Sequence, residues 1–412
     1  MGIWPTIPIT FTSWNVSGRR CDDDNAIAVL EHPNRVSRIH LFGDEWGKAA
    51  ALMQKPLLLL THLPISSSKL KAPTLPDGFL GGSAPSLQEF HLRNVLYPAL
   101  PILLLSACNL VDLRLHDILP TGYISPEAMV LHVSASSKLE TLHIKFNDLT
   151  SFSDLMISPP LTRTVLPALR IFLFTGKCKY LEDFVSRIDT PQLNYIVVRY
   201  QSGDINLNFD VPHLSNFINR SESFKQTLSR HCKITVNQVF LDVATFCLGR
   251  TTSERRDPKP GISICLGRGI EGKLSHLTNI LGFMPPILSD VVHCTIDSDY
   301  PLAASSYDQE GRDAFHWLQL LRQLSSLQTL FAFGNTARLI SQALAYVGYV
   351  GTITEILLAL QLLYLEDEVD EVDDDQATSS IHRFLAARRH SGHPVTLVTT
   401  KDEFEEKLKS HP

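Results

Sequence analysis

Basic and imidazole side chains recur along the first half of this chain at nearly regular intervals. Each lies between or just after the apolar positions of a short L-x-x-L-x-L run, at a site that should face outward from a strand. Guanidinium and ammonium groups donate strong hydrogen bonds to carboxylates and phosphates. The set therefore predicts a binding site for an acidic or phosphorylated protein segment, and a solvated face without a partner is the alternative. Its members are His40, His91, Arg93, Arg114, His116, His143, Lys145 and Arg199.

A glycine-rich loop offers a second chemistry. Gly267, Gly269 and Gly272 satisfy G-x-G-x-x-G after the apolar run at 261–266. In a dinucleotide site such glycines permit a tight turn and close approach of the pyrophosphate to a helix N-terminus. The acidic partner expected about 20 residues later would be Asp290, which stands before an apolar run and not at its end. A nucleotide-dependent oxidoreductase is thus the alternative function, and a simple turn is the preferred interpretation.

Other catalytic and metal-binding signatures are not found in the sequence. There is no G-x-S-x-G elbow, P-loop or H-E-x-x-H pattern. His390 and His393 stand at the end of a predicted helix, where cations favour the helix dipole. The acidic run 366–375 lacks the glycine and the alternating ligand spacing of a calcium loop, so it indicates a solvated loop over about 366–378. We therefore expect no enzyme, no cofactor and no metal.

The elements that would position the basic set are the short strands of a repeat. The L-x-x-L-x-L pattern, with apolar substitutions, begins at residues 36, 60, 87, 110, 139, 169 and 193. A period of about 20–29 residues is typical of leucine-rich repeats, in which a strand alternates with a helix or an irregular arm. One such strand cannot bury its apolar face, but stacked neighbours share a core. More degenerate units follow at 288–296, 327–335 and 360–365.

These patterns predict an α/β leucine-rich-repeat solenoid, horseshoe-like, with parallel strands on the concave face and helices outside. One solenoid would span residues 1–412, regular over about 34–222 and irregular over about 223–412, with an exposed loop at 250–261. A strand is expected at 394–400. Helices are expected at 22–32, 125–133 (with Ser125 as N-cap), 179–188, 311–324, 336–348, 379–392 (ending at Gly392) and 401–410.

Composition limits the partners and the cellular compartment expected for the protein. The formal net charge is −6, of which residues 366–375 contribute −8, so the remainder is about +2 and does not suit nucleic acid. Seven cysteines, an odd number without a CxxC pair, indicate reduced thiols and a cytoplasmic or nuclear protein. The apolar runs 95–105 and 356–365 are too short to span a bilayer. We expect no membrane association.

Four stretches, 75–92, 119–129, 166–200 and 384–397, resemble the large fungal family of F-box and leucine-rich-repeat proteins. The resemblance implies that the repeats hold a substrate while an F-box docks a Skp-type adaptor of a cullin ubiquitin ligase. The opening residues "MGIWPTIPITF" are similar to the stretch that follows an F-box, so adaptor binding is not expected of this sequence. The predicted function is non-enzymatic protein recognition by the repeats, and a degenerate paralogue that binds nothing is a further alternative.

Overall fold

The computed structural model describes residues 8–13, 28–43, 46–69, 72–147, 162–200, 212–221, 231–236, 241–244, 261–266, 289, 291–297, 307–350, 356–366 and 374–398. These residues form an α/β structure in which strands alternate with helices. The chain divides into two compact units, Met1–Leu193 and Asn194–Pro412.

In the first unit, parallel strands follow one another across a sheet in chain order. The sheet order is β1, β2, β3, β4, β5, β6 and β8, and β7 pairs with β9 in a separate two-stranded ladder. The strands are β1 Ile9–Ser13, β2 Val36–Phe42, β3 His62–Ser66, β4 Glu89–Arg93, β5 Asp112–Ile118, β6 Thr141–Phe146, β7 Thr164–Val165, β8 Ile171–Gly176 and β9 Ile188–Asp189. The strands predicted from residues 36–174 are confirmed as parallel neighbours of one sheet.

The strands of this sheet pair in the register of the sequence repeat. His62 pairs with Glu89, Glu89 with Asp112, Asp112 with Thr141, and Thr141 with Ile171. Each step joins the same position of consecutive L-x-x-L-x-L runs. Equivalent side chains therefore stack in columns across the strands.

The three apolar positions of each run form the core under the sheet. Leu139, Leu142 and Ile144 are each at most 1% exposed, and the same positions of the neighbouring runs are equally buried. Burying one such side chain stabilises the fold by about 1.5–3 kcal/mol. The residues between them are half-buried or exposed, as in β6 and β8, where intermediate and buried side chains alternate.

Short helices cover the apolar side of the first sheet. They are α1 Gly47–Leu52, α2 Leu100–Ser106, α3 Pro126–Ser134 and α4 Cys178–Ser186, and α2, α3 and α4 pack in succession. Ser125 caps α3 as predicted, because its Oγ accepts a hydrogen bond from the Ala128 N–H at 3.2 Å. The Phe172 ring on β8 lies 5.5 Å from that of Phe184 on α4. The opposite side of the sheet is left for the polar columns.

The second unit is less regular. Its sheet order is β10, β13, β12, β11, β14, β15, β16, β17, and β12 runs antiparallel to both neighbours. Helices α6, α7 and α8 pack in succession. The strands are β10 Tyr195–Tyr200, β11 His231–Val236, β12 Leu241–Ala244, β13 Gly261–Leu266, β14 His293–Asp297, β15 Thr329–Phe333, β16 Leu362–Glu366 and β17 Thr396–Val398, and the helices are α5 Pro212–Arg220, α6 Tyr307–Gln323, α7 Gly334–Val350 and α8 Asp374–His390.

The C-terminal helix begins earlier than its sequence pattern predicted. Glu366 ends β16 and Asp374 begins α8, so the acidic loop predicted over 366–378 is wrong at residue 366 and at residues 374–378. The rest of that prediction lies outside the described residues. Aspartates suit the first turn of a helix because their negative charge interacts favourably with the positive, N-terminal end of the helix dipole. Gly392 has φ +79°, as the predicted helix stop requires. Arg388, fully buried, ties the last turn to the preceding loop by donating to the carbonyls of Leu358 and Leu360.

Several predictions fall on residues outside the described ranges. These are the glycine loop 267–272 with Asp290, residues 250–260 of the exposed loop predicted at 250–261, the helix 401–410 and most of the helix 22–32. Gly261, the last residue of that predicted loop, begins β13 instead. The single solenoid over 1–412 also stays a prediction. Within the ranges described, no helix has both the length and the apolar character needed to cross a bilayer.

Candidate functional site

The outer face of β4, β5 and β6 carries a compact set of charged and imidazole side chains. Register places His91, Arg114 and His143 in one row across the three strands, and Arg93 beside His116 in the next. We name the whole set the charge ladder. It consists of Glu89, His91, Arg93, Asp112, Arg114, His116, Asp117, His143 and Lys145.

Asp112 anchors one half of the charge ladder. Arg114, two residues along the same strand, donates from Nη2 to Asp112 Oδ2 at 2.7 Å and from Nε to Oδ1 at 3.0 Å. His91 Nε2 on β4 lies 3.5 Å from Asp112 Oδ1. Burial raises the pKa of Asp112, but the hydrogen bonds from His91 and Arg114 outweigh it and hold that pKa below its usual value. The hydrogen bond that Arg114 donates to Asp112 in turn raises the pKa of Arg114.

Asp117 anchors the other half, and it does so through an irregularity in β5. The pairing of β5 with β6 shifts between Leu115 and Ile118, and Asp117 within this shift has φ +54°. Its Oδ1 accepts from Lys145 Nζ at 2.7 Å, and its Oδ2 accepts from Arg93 Nε at 3.1 Å. Burial raises the pKa of Asp117, but the bonds and charges of Lys145 and Arg93 bring the pKa below its usual value. One carboxylate thus joins cations from β4 and β6.

Two histidines occupy the centre of the charge ladder. His116 Nε2 and His143 Nδ1 are 2.7 Å apart, and their ring centroids are 4.1 Å apart. Partial burial lowers the pKa of His116 to about 4, with Arg114, His91 and Lys145 acting in the same direction and Asp117 opposing them. His116 is therefore neutral at pH 7. A single N–H joins the two rings.

Imidazoles continue the polar columns toward β2. His62 Nε2 lies 3.3 Å from Glu89 Oε1 on the neighbouring strand. His40 on β2 contacts the Phe42 ring edge-on at 6.1 Å. Burial and the nearby His62 and Arg38 lower the pKa of His40. At this end of the face, His40 is uncharged at neutral pH and His62 is paired with Glu89.

The charge ladder is balanced in charge but layered. Arg93, Arg114 and Lys145 supply three positive charges, and Glu89, Asp112 and Asp117 supply three negative ones. The cationic side chains are 67%, 44% and 41% exposed, whereas those of Asp112 and Asp117 are 17% and 20% exposed. The basic and imidazole side chains predicted for this face are thus accompanied by three carboxylates, which the alternate-residue columns left out. The cations lie above Asp112 and Asp117, but the Glu89 side chain, 46% exposed, is as exposed as those of Arg114 and Lys145.

The structure brings together six of the eight residues predicted for the site. His91, Arg93, Arg114, His116, His143 and Lys145 all belong to the charge ladder, while His40 lies two strands away on β2. Arg199 is exposed on β10 in the second unit. Val197 holds the same position in the run that begins at residue 193 as His143 holds in its own run, but it is only 2% exposed.

Sequence reasoning missed Glu89, Asp112 and Asp117. Glu89 and Asp112 occupy the column two residues before His91 and Arg114, on the same face, so that column was readable from the alternation of a strand. Asp117 was not readable, because strict alternation places it on the apolar side. Only the shift in pairing turns it outward.

The charge ladder presents charged hydrogen-bonding groups on a strand face. Among the described residues, no three His, Cys, Asp or Glu side chains are placed to hold a metal ion. A cavity beside His116, lined by Leu92, Leu115 and other apolar side chains, has a volume of about 20 Å³. That is room for one water, whereas small-molecule sites span roughly 300–1,000 Å³.

Comparison with known proteins gives little beyond this geometry. No protein-family description matches the chain, and no curated protein matches it. Among solved structures, the chain is similar to the leucine-rich repeat-containing protein LegL7 from Legionella pneumophila. The identity is 10% and the TM-score is 0.31, over 91% of this chain and 97% of that chain. A TM-score of 0.31 adds nothing to what the strand register already shows.

Proposed function

We propose that this chain is a non-enzymatic recognition protein of the leucine-rich-repeat type, a solenoid whose charge ladder binds an acidic segment of another protein. The observation that supports this function best is the layering of the ladder. Arg93, Arg114 and Lys145 lie above the less exposed Asp112 and Asp117, and Glu89 is the one carboxylate of the ladder with comparable exposure. A partner approaching this face therefore meets three cationic donor groups and one carboxylate.

The carboxylates beneath make the cations better donors. A free arginine or lysine side chain loses rotamer entropy of up to about 2 kcal/mol when it is fixed in a complex. Asp117 already fixes Arg93 and Lys145, so part of that cost is met before the partner arrives. Arg93 contacts Asp117 through Nε and Arg114 contacts Asp112 through Nε and Nη2, which leaves further guanidinium N–H groups for a carboxylate or phosphate.

The resemblance of four sequence stretches to fungal F-box and leucine-rich-repeat proteins supports a narrower role. In that role the bound protein is a substrate of a cullin ubiquitin ligase, and acidic or phosphorylated residues are the feature recognised. Binding of a Skp-type adaptor is not included in this function. The protein would act in the cytoplasm or nucleus.

Peptide binding tests the proposed function. Fluorescence anisotropy would compare acidic, phosphorylated, neutral and basic peptides on the wild-type chain and on Arg93→Ala/Arg114→Ala/Lys145→Ala. We expect acidic or phosphorylated peptides to bind selectively, with a loss of roughly tenfold or more in the triple variant and at raised salt. The matched control removes three exposed cations elsewhere, Lys55→Ala/Lys138→Ala/Arg389→Ala, and should bind as the wild type does.

Equal binding by the triple variant and the wild type would mean that the charge ladder does not bind the peptide. Affinity purification with both variants then identifies the partner in cells. A substrate that depends on the charge ladder should be lost from the triple variant and kept by the control.

A further inference from the structure

Imidazoles lie beside two of the three carboxylates that balance the cations of the charge ladder. His91 Nε2 on β4 lies 3.5 Å from Asp112 Oδ1, and His62 Nε2 on β3 lies 3.3 Å from Glu89 Oε1. The strand register produces both contacts, because His62 pairs with Glu89 and Glu89 pairs with Asp112. Two of the three negative charges on this face thus have a neighbour that can change its own charge.

Charged and titratable groups surround both imidazoles on the neighbouring strands. Those around His91 are Asp112 and Arg114 on β5, His62 on β3, and Glu89 and Arg93 on its own strand. Those around His62 are Arg38 and His40 on β2, and Glu89 and His91 on β4. Each imidazole therefore has both a carboxylate and a cation nearby, and their effects on its charge oppose each other.

The other imidazoles of this face differ from these two in their surroundings. Burial lowers the pKa of His40, and burial brings the pKa of His116 down to about 4. His143 shares a hydrogen bond with His116. His62 and His91 are thus the two imidazoles of β2–β6 that lie within 3.5 Å of a carboxylate oxygen.

Protonation of these two imidazoles changes the net charge of the face. With both uncharged, the three cations of the charge ladder balance its three carboxylates, and two imidazolium charges bring the net charge to +2. Imidazole is the side chain that ordinarily changes its charge between about pH 5 and 8. The imidazolium of His62 would also neutralise Glu89, the one carboxylate as exposed as the cations.

We propose that acidification strengthens the binding of acidic segments to the charge ladder, because protonated His62 and His91 offset the charges of Glu89 and Asp112. The inference rests on the proposed function, since it concerns the regulation of the same surface. A bound carboxylate in turn stabilises the two imidazolium groups, so the complex takes up protons as it forms. The affinity therefore rises as the pH falls from about 7.5 to 5.5.

Fluorescence anisotropy at pH 7.5, 6.5 and 5.5 and constant ionic strength tests the inference. The probe is a peptide whose acidic residues are Asp and Glu only, because their carboxylates stay ionised above about pH 5, whereas a phosphate titrates near pH 6. The quantity compared is the ratio of the affinities at pH 5.5 and 7.5 within each variant. We expect a rise of roughly five- to tenfold for the wild-type chain.

Histidine variants identify the groups responsible. His62→Gln/His91→Gln should give a ratio near one, and each single variant should lose about half of the rise on a logarithmic scale, so the test does not depend on the double variant alone. The matched control His32→Gln/His382→Gln replaces two exposed histidines elsewhere and should keep the wild-type ratio. Far-UV circular dichroism at each pH checks that every variant is folded.

Calorimetry in two buffers of different ionisation enthalpy counts the protons directly. Near pH 6.5 we expect a net uptake of up to about two protons per complex for the wild type and the control. The uptake should be close to zero for His62→Gln/His91→Gln.

The pH response separates this inference from the proposed function. If acidic peptides bind with the same or lower affinity at pH 5.5 than at pH 7.5, or if the double variant keeps the rise, the inference fails and the recognition function stands. If no acidic peptide binds at any of the three pH values, both fail. A rise that disappears in the double variant and persists in the control supports both.

Discussion

At the scale of single residues, Asp117 determines how the charge ladder is organised. A non-glycine residue with positive φ costs roughly 1 kcal/mol, although aspartate and asparagine tolerate this conformation better than most. Here the unusual conformation turns a carboxylate from the apolar side of β5 to the outer face, where it accepts from Arg93 and Lys145. The local strain is compensated by two ion pairs with neighbouring strands.

Substitutions at Asp117 separate the contribution of its charge to stability from that of its backbone conformation. Asp117→Asn keeps a side chain suited to positive φ and removes the charge, whereas Asp117→Ala removes the charge and adds strain. We expect urea unfolding to show a loss of about 1 kcal/mol for Asn and about 1 kcal/mol more for Ala. Asp117→Gly, which accepts this φ freely, serves as the control and should lie nearer to Asn. Equal losses for Asn and Ala would mean that the backbone conformation is not under strain.

The low pKa of His116 in the fold makes stability depend on pH. The pKa of His116 falls from 6.5 in the unfolded chain to about 4 in the fold, so the unfolded chain takes up a proton first on acidification. Its contribution is complete above pH 6.5, declines as the pH falls toward 4 and does not change further below that. For a partly exposed group we expect on the order of 1–2 kcal/mol.

Urea unfolding at pH 7.5, 6, 5 and 4.5 measures this dependence, and His116→Gln should flatten it. Asp112 and Asp117 act in a separate range, because their pKa values lie below the ordinary 3.8 and their stabilisation is lost only as the pH falls below about 4. An unchanged slope in His116→Gln between pH 6.5 and 4.5 would assign the dependence to other groups.

At the scale of elements, the leucine columns follow directly from the repeat. Leu142 is fully buried on β6, in register with Leu113 on β5 and Phe172 on β8. Leu142→Ala should therefore lower the free energy of unfolding by about 2–5 kcal/mol. Leu131 on α3 is 59% exposed and serves as the matched control. Leu131→Ala should change the free energy of unfolding by less than about 0.5 kcal/mol. Comparable losses from both would contradict the placement of the core.

The same elements show what the sequence could predict. Strands β2–β6 and β8 begin within a few residues of their predicted positions, because apolar periodicity is a local property that each run carries itself. The strands β1, β7 and β9 lie outside the repeat runs and were not predicted. Ser125 was readable as a cap for the same reason. The shift at Asp117 was not, since a bulge depends on how two strands pair and not on either strand alone. Of the three carboxylates that balance the charge of the site, only Asp117 depends on that shift, whereas Glu89 and Asp112 were readable from strand alternation.

At the scale of the whole molecule, the strands of the first unit pair so that equivalent positions of consecutive repeats lie side by side. The first unit is therefore built by stacking equivalent parts. Backbone contacts recur with the same period: the Gln88 carbonyl accepts from Val111 and Asp112, and the Val111 carbonyl accepts from Glu140 and Thr141. Each repeat thus presents to the next the same donors, acceptors and apolar column that it receives. Such an array should tolerate the loss of a whole unit better than a small disturbance inside one.

Two deletions of very different size test this idea. Removal of residues 112–140 joins Val111 to Thr141, so that Thr141, Leu142 and Ile144 take the places of Asp112, Leu113 and Leu115 beside β4. We expect this chain to fold and to unfold cooperatively in urea, with far-UV circular dichroism of the same shape. Removal of His143 alone turns Ile144 outward and Lys145 into the apolar column, because side chains alternate along a strand. That one-residue deletion should be the more destabilising of the two, by several kcal/mol. If the short deletion folds and the long one does not, the first unit is not a stack of interchangeable repeats.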